Sequence, residues 1–229
     1  MIEKPAGLLV HPPQDRKNRV EASASVDVIR ILRAQLERWV YPVHRLDRAT
    51  SGVMVLALNS ETARDLQAQF KEGKVKKTYL ALCRGYVLDQ GVIDSPLVSE
   101  NEAAKEQTAI TAYETLFRFE LSVSSSKHAS SRFSLVQVRP QTGRWHQIRR
   151  HFKRISHPLL GDTVHGDGKQ NRIWRELTGD SKLYLLAWSL GFFHPKTGAW
   201  HFYRARFNHS WHQVFDQAGV CPCERNENQ

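Results

Sequence analysis

With 229 residues, 41% of them hydrophobic and 24% charged, the chain is long enough to bury a sizeable core and ordinary enough in composition to be globular. No stretch approaches the roughly 18 uncharged apolar residues of a membrane span, and the N-terminus lacks the basic-then-apolar layout of a signal peptide. Lys and Arg outnumber Asp and Glu by 33 to 23, a formal net charge of +10 with a pI near 9.7, which makes a polyanion the natural partner, because nucleic-acid affinity is largely phosphate neutralisation.

Three cysteines, Cys83, Cys221 and Cys223, are too few for a disulfide framework and point to a reducing compartment. Cys221-Pro222-Cys223 has no second Cys or His pair at ligand spacing, and His151, His157 and His165 are spaced by six and eight residues, which fits no common zinc pattern. The expectation is a cytoplasmic single domain over residues 1–229, with its core at about 4–205 and a flexible tail at 219–229.

In chain order, Pro5 and Gly7 mark a turn ahead of a short apolar run. Val28, Ile31, Leu32 and Leu36 repeat at a helical period, with Asp27 near the start, which predicts a helix over about 26–36. His44-Arg45-Leu46-Asp47-Arg48-Ala49-Thr50-Ser51-Gly52 then runs into the apolar stretch Val53 to Leu58. That order sets one carboxylate in a loop at a strand's edge, where packing gives no reason to keep it and where catalytic side chains usually sit.

Asn59 or Ser60 caps the next predicted helix, which carries Ala63, Leu66 and Phe70 on one face and ends at Gly73. Lys77 to Arg84 alternates as a strand, with Tyr79 opposite the face of Leu80 and Leu82. Further strands are predicted at 108–116, 133–139, 184–193 and 200–206, with the Ser-rich stretch 122–131 as a hairpin or insertion. Between Gly143 and Lys153 a helix is expected to turn Trp145, Ile148 and Phe152 inward, flanked by Arg144, Arg149 and Arg150. Basic residues also interleave with aromatics at 143–151 and 171–175, a texture that favours nucleic acid over lipid. Strands outnumber helices and few are joined by a clean crossover helix, so an α+β protein with a mostly antiparallel sheet is expected.

Three of these segments carry a resemblance. His44-Arg45-Leu46-Asp47, two variable residues, then Thr50-Ser51-Gly52 resembles the active-site motif of the RluA-type RNA pseudouridine synthases at all of its fixed positions. Lys77-Thr78-Tyr79-Leu80-Ala81 is similar to that family's Lys-x-Tyr-x-Ala motif, and Thr142 to Arg149 to its Thr-Gly-Arg-x-His-Gln-Ile-Arg motif. Pro158 to Asp162 and His194-Pro195 match less specific features. Lys4 onward resembles the family's first motif, which usually follows a strand of a dozen or more residues; here that N-terminal strand is expected to be missing. His165-Gly166-Asp167 with the later Asn171, and Gln147 to His151, resemble the TruC-like branch, which modifies tRNA. Leu186 departs from the pattern, standing where the family commonly has His.

The resemblance implies the pseudouridine synthase fold and a reaction that detaches a uracil from its ribose, turns it and rejoins it through C5, needing neither cofactor nor metal. It implies Asp47 as nucleophile or charge stabiliser, Arg149 as the cation that keeps that carboxylate ionised, and Tyr79 as a ring stacked on the uracil that also serves as the proton-moving group. Composition alone would make Arg149 one more phosphate-contacting arginine and Tyr79 a core tyrosine. Arg45 would wedge into the stack vacated by the flipped uridine. His44 would support the loop, and it belongs with Arg45, Arg144 and Arg150 to the expected RNA-binding set; Thr50 and Ser51 would hydrogen-bond the loop backbone. The expected partner is RNA, tRNA before ribosomal RNA, acted on by a monomer without membrane attachment. A non-catalytic RNA-binding protein is the competing reading. A kinase is excluded by the absence of a Gly-rich phosphate loop and an Asp-Phe-Gly segment.

Overall fold

The computed structural model describes residues 1–11, 26–99, 105–124 and 128–221; most of the expected flexible tail, and Cys223, lie outside them. The chain forms two compact units, one of Met1–Thr78 with Leu186–Ala205, the other of Tyr79–Leu185 with Arg206–Gln229.

In the first unit, β1 (Ile2–Lys4) runs antiparallel to β3 (Ser51–Met54). The residues ahead of Pro5 thus form a three-residue strand on the edge of β3. On its other edge β3 pairs in parallel with β11 (Leu185–Phe193), Ala187 opposite Gly52, and β12 (Trp200–Arg204) lies antiparallel along β11. Helix α1 (Val28–Leu36) starts where the Asp27 carboxylate accepts from the Arg30 amide, and α2 (Ser60–Lys71) where Asn59 accepts from Thr62. These are the cap residues that the sequence offered. The Gln69 amide of α2 donates to the Phe193 carbonyl and accepts from the Phe193 amide, at 2.8 and 3.0 Å.

One expected strand is broken. The apolar run after Asp47 divides into β3 and β4 (Leu56–Ala57), and β4 pairs with β2 (Tyr41–Pro42). The break falls at Val55, whose amide donates to the His44 ring rather than to a neighbouring strand.

In the second unit, β10 (Ser131–Pro140) pairs antiparallel with both β5 (Lys76–Arg84) and β9 (Ile110–Leu121), and β6 (Gln90–Asp94) covers the far edge of β9. The described residues of the 122–131 stretch lie between β9 and β10, Ser131 itself opening β10; residues 125–127 are outside the described set. Short strands β7 (Leu97–Val98) and β8 (Glu106–Gln107) form a separate pair. Three helices follow, α3 (Gln147–Arg154), α4 (Gly168–Thr178) and α5 (His209–Ala218). The mixture of helices with mostly antiparallel strands is the expected α+β class.

Two of those helices were not foreseen, and both bury aromatics. Trp174 of α4 is 1% exposed and meets Phe133 and Tyr184 edge-on, while Trp211 of α5 meets Tyr184 from the other side. The basic and aromatic run at 171–175 is therefore a packing helix with its tryptophan in the core, not an RNA-facing surface at that residue. Such edge-to-face contacts suit the ring quadrupoles.

Candidate active site

Asp47 lies in the loop between β2 and β3, and three anchors fix that loop. Leu46 and Thr50 are buried, and the Thr50 amide closes a turn on the Asp47 carbonyl at 3.1 Å. At the far end, Gly52 has φ +121, and a Cβ there would lie 2.2 Å from the Ala187 carbonyl oxygen, so only glycine lets β3 approach β11. Thr50 does not act as expected: its hydroxyl is buried and has no hydrogen-bond partner among the described residues.

The third anchor is the N-terminal turn. The Gly7 amide donates to the Arg48 carbonyl and the Arg48 guanidinium donates back to the Gly7 carbonyl, at 2.8 and 3.0 Å. Lys4, 1% exposed, points its ammonium into the same turn and donates to the carbonyls of Pro5, Leu8 and Arg48. Burial pushes the Lys4 pKa down to about 8, although the Asp47 carboxylate pulls the other way. The sequence reading assigned Lys4 no role; a lysine among apolar neighbours gives no sign of what its end will meet.

His44 faces inward from the same loop. Its Nε2 accepts from the Val55 amide at 3.2 Å and its ring stacks on Phe70 at 4.6 Å. Burial, with the Lys77 ammonium adding to it, lowers its pKa to about 3, so the ring is neutral and braces the loop. Arg45 is exposed on that loop.

In the second unit, α3 begins later than the sequence predicted. His146 precedes it in a left-handed conformation, φ 49, and Trp145 stacks on the His146 ring at 3.9 Å outside the helix. The inward face of α3 is Gln147, Ile148, Arg149, His151 and Phe152. Gln147 fixes that start: its side-chain oxygen accepts from Thr142 and from the Arg144 amide, and its NH2 donates to the Ile110 carbonyl and the Thr111 hydroxyl. A glutamine on an exposed basic helix would have no use for all of these.

Arg149 is accordingly not a flanking cation; it is 4% exposed. Its Nε and one terminal nitrogen donate to the two oxygens of Asp162, each at 2.7 Å. Asp162 is buried too, and one of its oxygens also accepts from the backbone amides of Val164 and His165. Burial alone would raise the Asp162 pKa, yet Arg149 and those amides outweigh it and hold the carboxyl below its ordinary value. The turn carrying Asp162 is set by Asn171 of α4, which accepts from the Gly161 amide and donates to the Asp162 carbonyl. Asp162 was legible only as part of a less specific match, because nothing in its neighbours announces a buried partner.

The other site candidates fall as follows. Tyr79 is half-buried on β5, opposite Val138 of β10. Arg144 is exposed and donates to the Thr108 carbonyl; Arg150 donates to the Val98 carbonyl and lies 5.6 Å from the Trp145 ring. His151 is a packing residue, held between the Thr111 hydroxyl and the Ser95 carbonyl, and burial lowers its pKa. His157 reaches the Arg84 carbonyl and His165 reaches His146.

The profile of the RNA pseudouridylate synthase family matches residues 1–154. A tRNA pseudouridine synthase C of Haemophilus ducreyi is 43% identical over 95% of this chain and 91% of its own length, and one of Vibrio parahaemolyticus is 39% identical over 93% and 89%. Among solved structures, human RNA pseudouridylate synthase domain containing 4 superimposes with a TM-score of 0.67 at 25% identity, over 95% of this chain and 88% of its own. With its His-Arg-Leu-Asp loop pinned from three sides and these relatives along nearly its whole length, the chain belongs to the RNA pseudouridylate synthase family.

Proposed function

We propose that this enzyme isomerises a specific uridine of tRNA to pseudouridine. The observation that carries the reading is the Asp47 loop. Lys4, Gly7, His44 and Gly52 are all committed to holding one carboxylate-bearing turn, an investment that makes sense if the direction of that carboxylate decides a reaction. The tRNA assignment is supported by the names of the relatives just described and by the net charge of the chain.

In this reading the substrate is a uridine flipped out of its stack. Asp47 attacks or stabilises the sugar or base as the glycosidic bond breaks, and Arg149 keeps it ionised when RNA displaces water. Asp162 fixes the plane of the Arg149 guanidinium. Tyr79 stacks on the detached uracil and moves the proton that C5 must lose. Arg45, exposed on the Asp47 loop, fills the vacated stack, and Arg144 and Arg150 neutralise phosphates. The enzyme works as a cytoplasmic monomer without a cofactor.

The test is to incubate tRNA and ribosomal RNA separately with wild-type or Asp47→Ala protein, digest them, and quantify pseudouridine by mass spectrometry. Asp47-dependent product in tRNA is expected. Product confined to ribosomal RNA would overturn the substrate, and none in either would overturn the reaction.

A further inference from the structure

From Ser181 to Phe215 the sequence contains no Asp or Glu, while Lys182, Lys196, Arg204 and Arg206 fall within it. The β11–β12 hairpin lies inside this stretch, and its register pairs Phe193 with Trp200, Gly191 with Phe202 and Ser189 with Arg204. Paired residues point to one side of a sheet, so Phe193, Trp200, Phe202 and Arg204 share a face. Gly191 makes room for it: a Cβ there would sit 2.3 Å from the Trp200 indole. Trp200 meets Phe193 edge-on at 4.9 Å, and the Arg204 guanidinium lies 5.2 Å from the ring centres of both Trp188 and Phe202.

These rings are not covered. Phe193, Trp200 and Phe202 are 45%, 44% and 50% exposed, and contiguous exposed apolar surface of this kind marks an interaction site. The absence of carboxylates and the guanidinium among the rings call for a partner that is both anionic and flat-ringed. A second copy brought face to face would set two basic faces without carboxylates against each other, a like-charge pairing that an isologous dimer would have to absorb. Unpaired RNA nucleotides meet both demands, because any base can stack on an exposed ring while its phosphate meets the cation.

We infer that Trp200, Phe202 and Arg204 on β12 form a stacking platform for unpaired nucleotides of the RNA substrate, outside the motifs that define the family's chemistry. The inference rests on the RNA-modifying reading above. It gives the catalytic domain a way to grip a loop or end of a folded RNA.

The experiment measures the dissociation constants of unfractionated tRNA and of a labelled oligouridylate for the wild-type protein and for Trp200→Ala/Phe202→Ala. Thermal melting confirms that each variant is folded. At roughly 1–3 kcal/mol per stacked base, the double variant should bind the oligouridylate at least about fivefold more weakly, and Trp200→Tyr/Phe202→Tyr should restore most of the loss. Arg204→Gln should weaken binding and flatten its salt dependence. Unchanged affinities in folded variants would overturn the platform. A wild-type dimer that becomes monomeric in the double variant, with RNA affinity unchanged, would give the face to a second copy instead. Pseudouridine formed in tRNA by the wild type decides the substrate reading separately: ring-dependent oligouridylate binding without that product would keep the platform and discard tRNA.

Discussion

The Asp162 carboxylate holds the Arg149 guanidinium along one edge, both side chains out of solvent and both oxygens engaged at 2.7 Å. A guanidinium gripped this way has a fixed plane. Asp162→Ala should therefore cost about 3–5 kcal/mol of stability, the usual penalty for stranding one half of a buried pair. The double variant Asp162→Ala/Arg149→Met should recover part of that loss in urea unfolding, because no charge is then left unpaired, yet form no pseudouridine. A double variant no more stable than Asp162→Ala alone would mean that the stranded Arg149 charge is not what costs the stability.

Acid should weaken the protein through His44. In the folded protein the pKa of this ring is about 3, against about 6.5 in an unfolded chain. The unfolded state therefore binds the extra proton first, and stability that is complete above pH 6.5 is lost as pH falls from there toward 3. The full window corresponds to about 5 kcal/mol as an upper bound, at 1.36 kcal/mol per pH unit. His44→Gln keeps an acceptor for Val55 and does not titrate. Its unfolding free energy should fall less steeply over this range; slopes matching the wild type would show that His151 and His165, whose pKa values are also lowered, carry the acid response instead.

Lys4 gives the opposite experiment at alkaline pH. Its folded pKa is near 8 and that of a free lysine near 10.4, so between those values the unfolded chain holds a proton that the folded one has shed. Wild-type stability should rise relative to Lys4→Met as pH goes from 8 to 10, by up to about 3 kcal/mol. The comparison must be between the two proteins, because the buried Cys83 thiol has a raised pKa and pushes both the other way. A constant difference across the window would refute the buried ammonium. Lys4→Met should also lose pseudouridine formation, through the Arg48 carbonyl beside Asp47.

Arg45→Ala should reduce turnover of structured tRNA by at least tenfold more than turnover of a short unpaired RNA carrying the same uridine, since only the former leaves a stack to be filled. Equal losses on both substrates would make Arg45 a phosphate contact. Asp47→Asn, nearly equal in size, should abolish product while leaving tRNA affinity within a few fold.

Much of the first unit was legible because its signals are local. Asp27 and Asn59 announce helix starts, and Gly73 announces an end. The failures have two physical sources. Helices α4 and α5 carry the same signals, Asp167 and Asn208 as caps with Gly179 and Gly219 after the last turn, but the basic and aromatic run at 171–175 of α4 suggested a surface, and the signals of α5 were not read at all. Arg149, Gln147 and Lys4 were misplaced or overlooked for another reason. Polar residues can be buried only when partners far along the chain satisfy them, and no periodicity records where Asp162, Thr111 or the Arg48 carbonyl will end up.

The parallel contact between Gly52 and Ala187 also has a consequence in time. The two residues are 135 positions apart, so a ribosome adding about 5–20 residues per second needs roughly 7–27 s after making the Asp47 loop to deliver the strand that seats it. Until then the loop has the N-terminal turn, its own Thr50–Asp47 turn and the His44 brace, but not the strand beside Gly52. A newborn chain therefore carries the Asp47 loop through most of synthesis without the strand against which Gly52 must close, and variants that weaken this junction should show first as a lower yield of folded enzyme, before any change in the rate of the molecules that do fold.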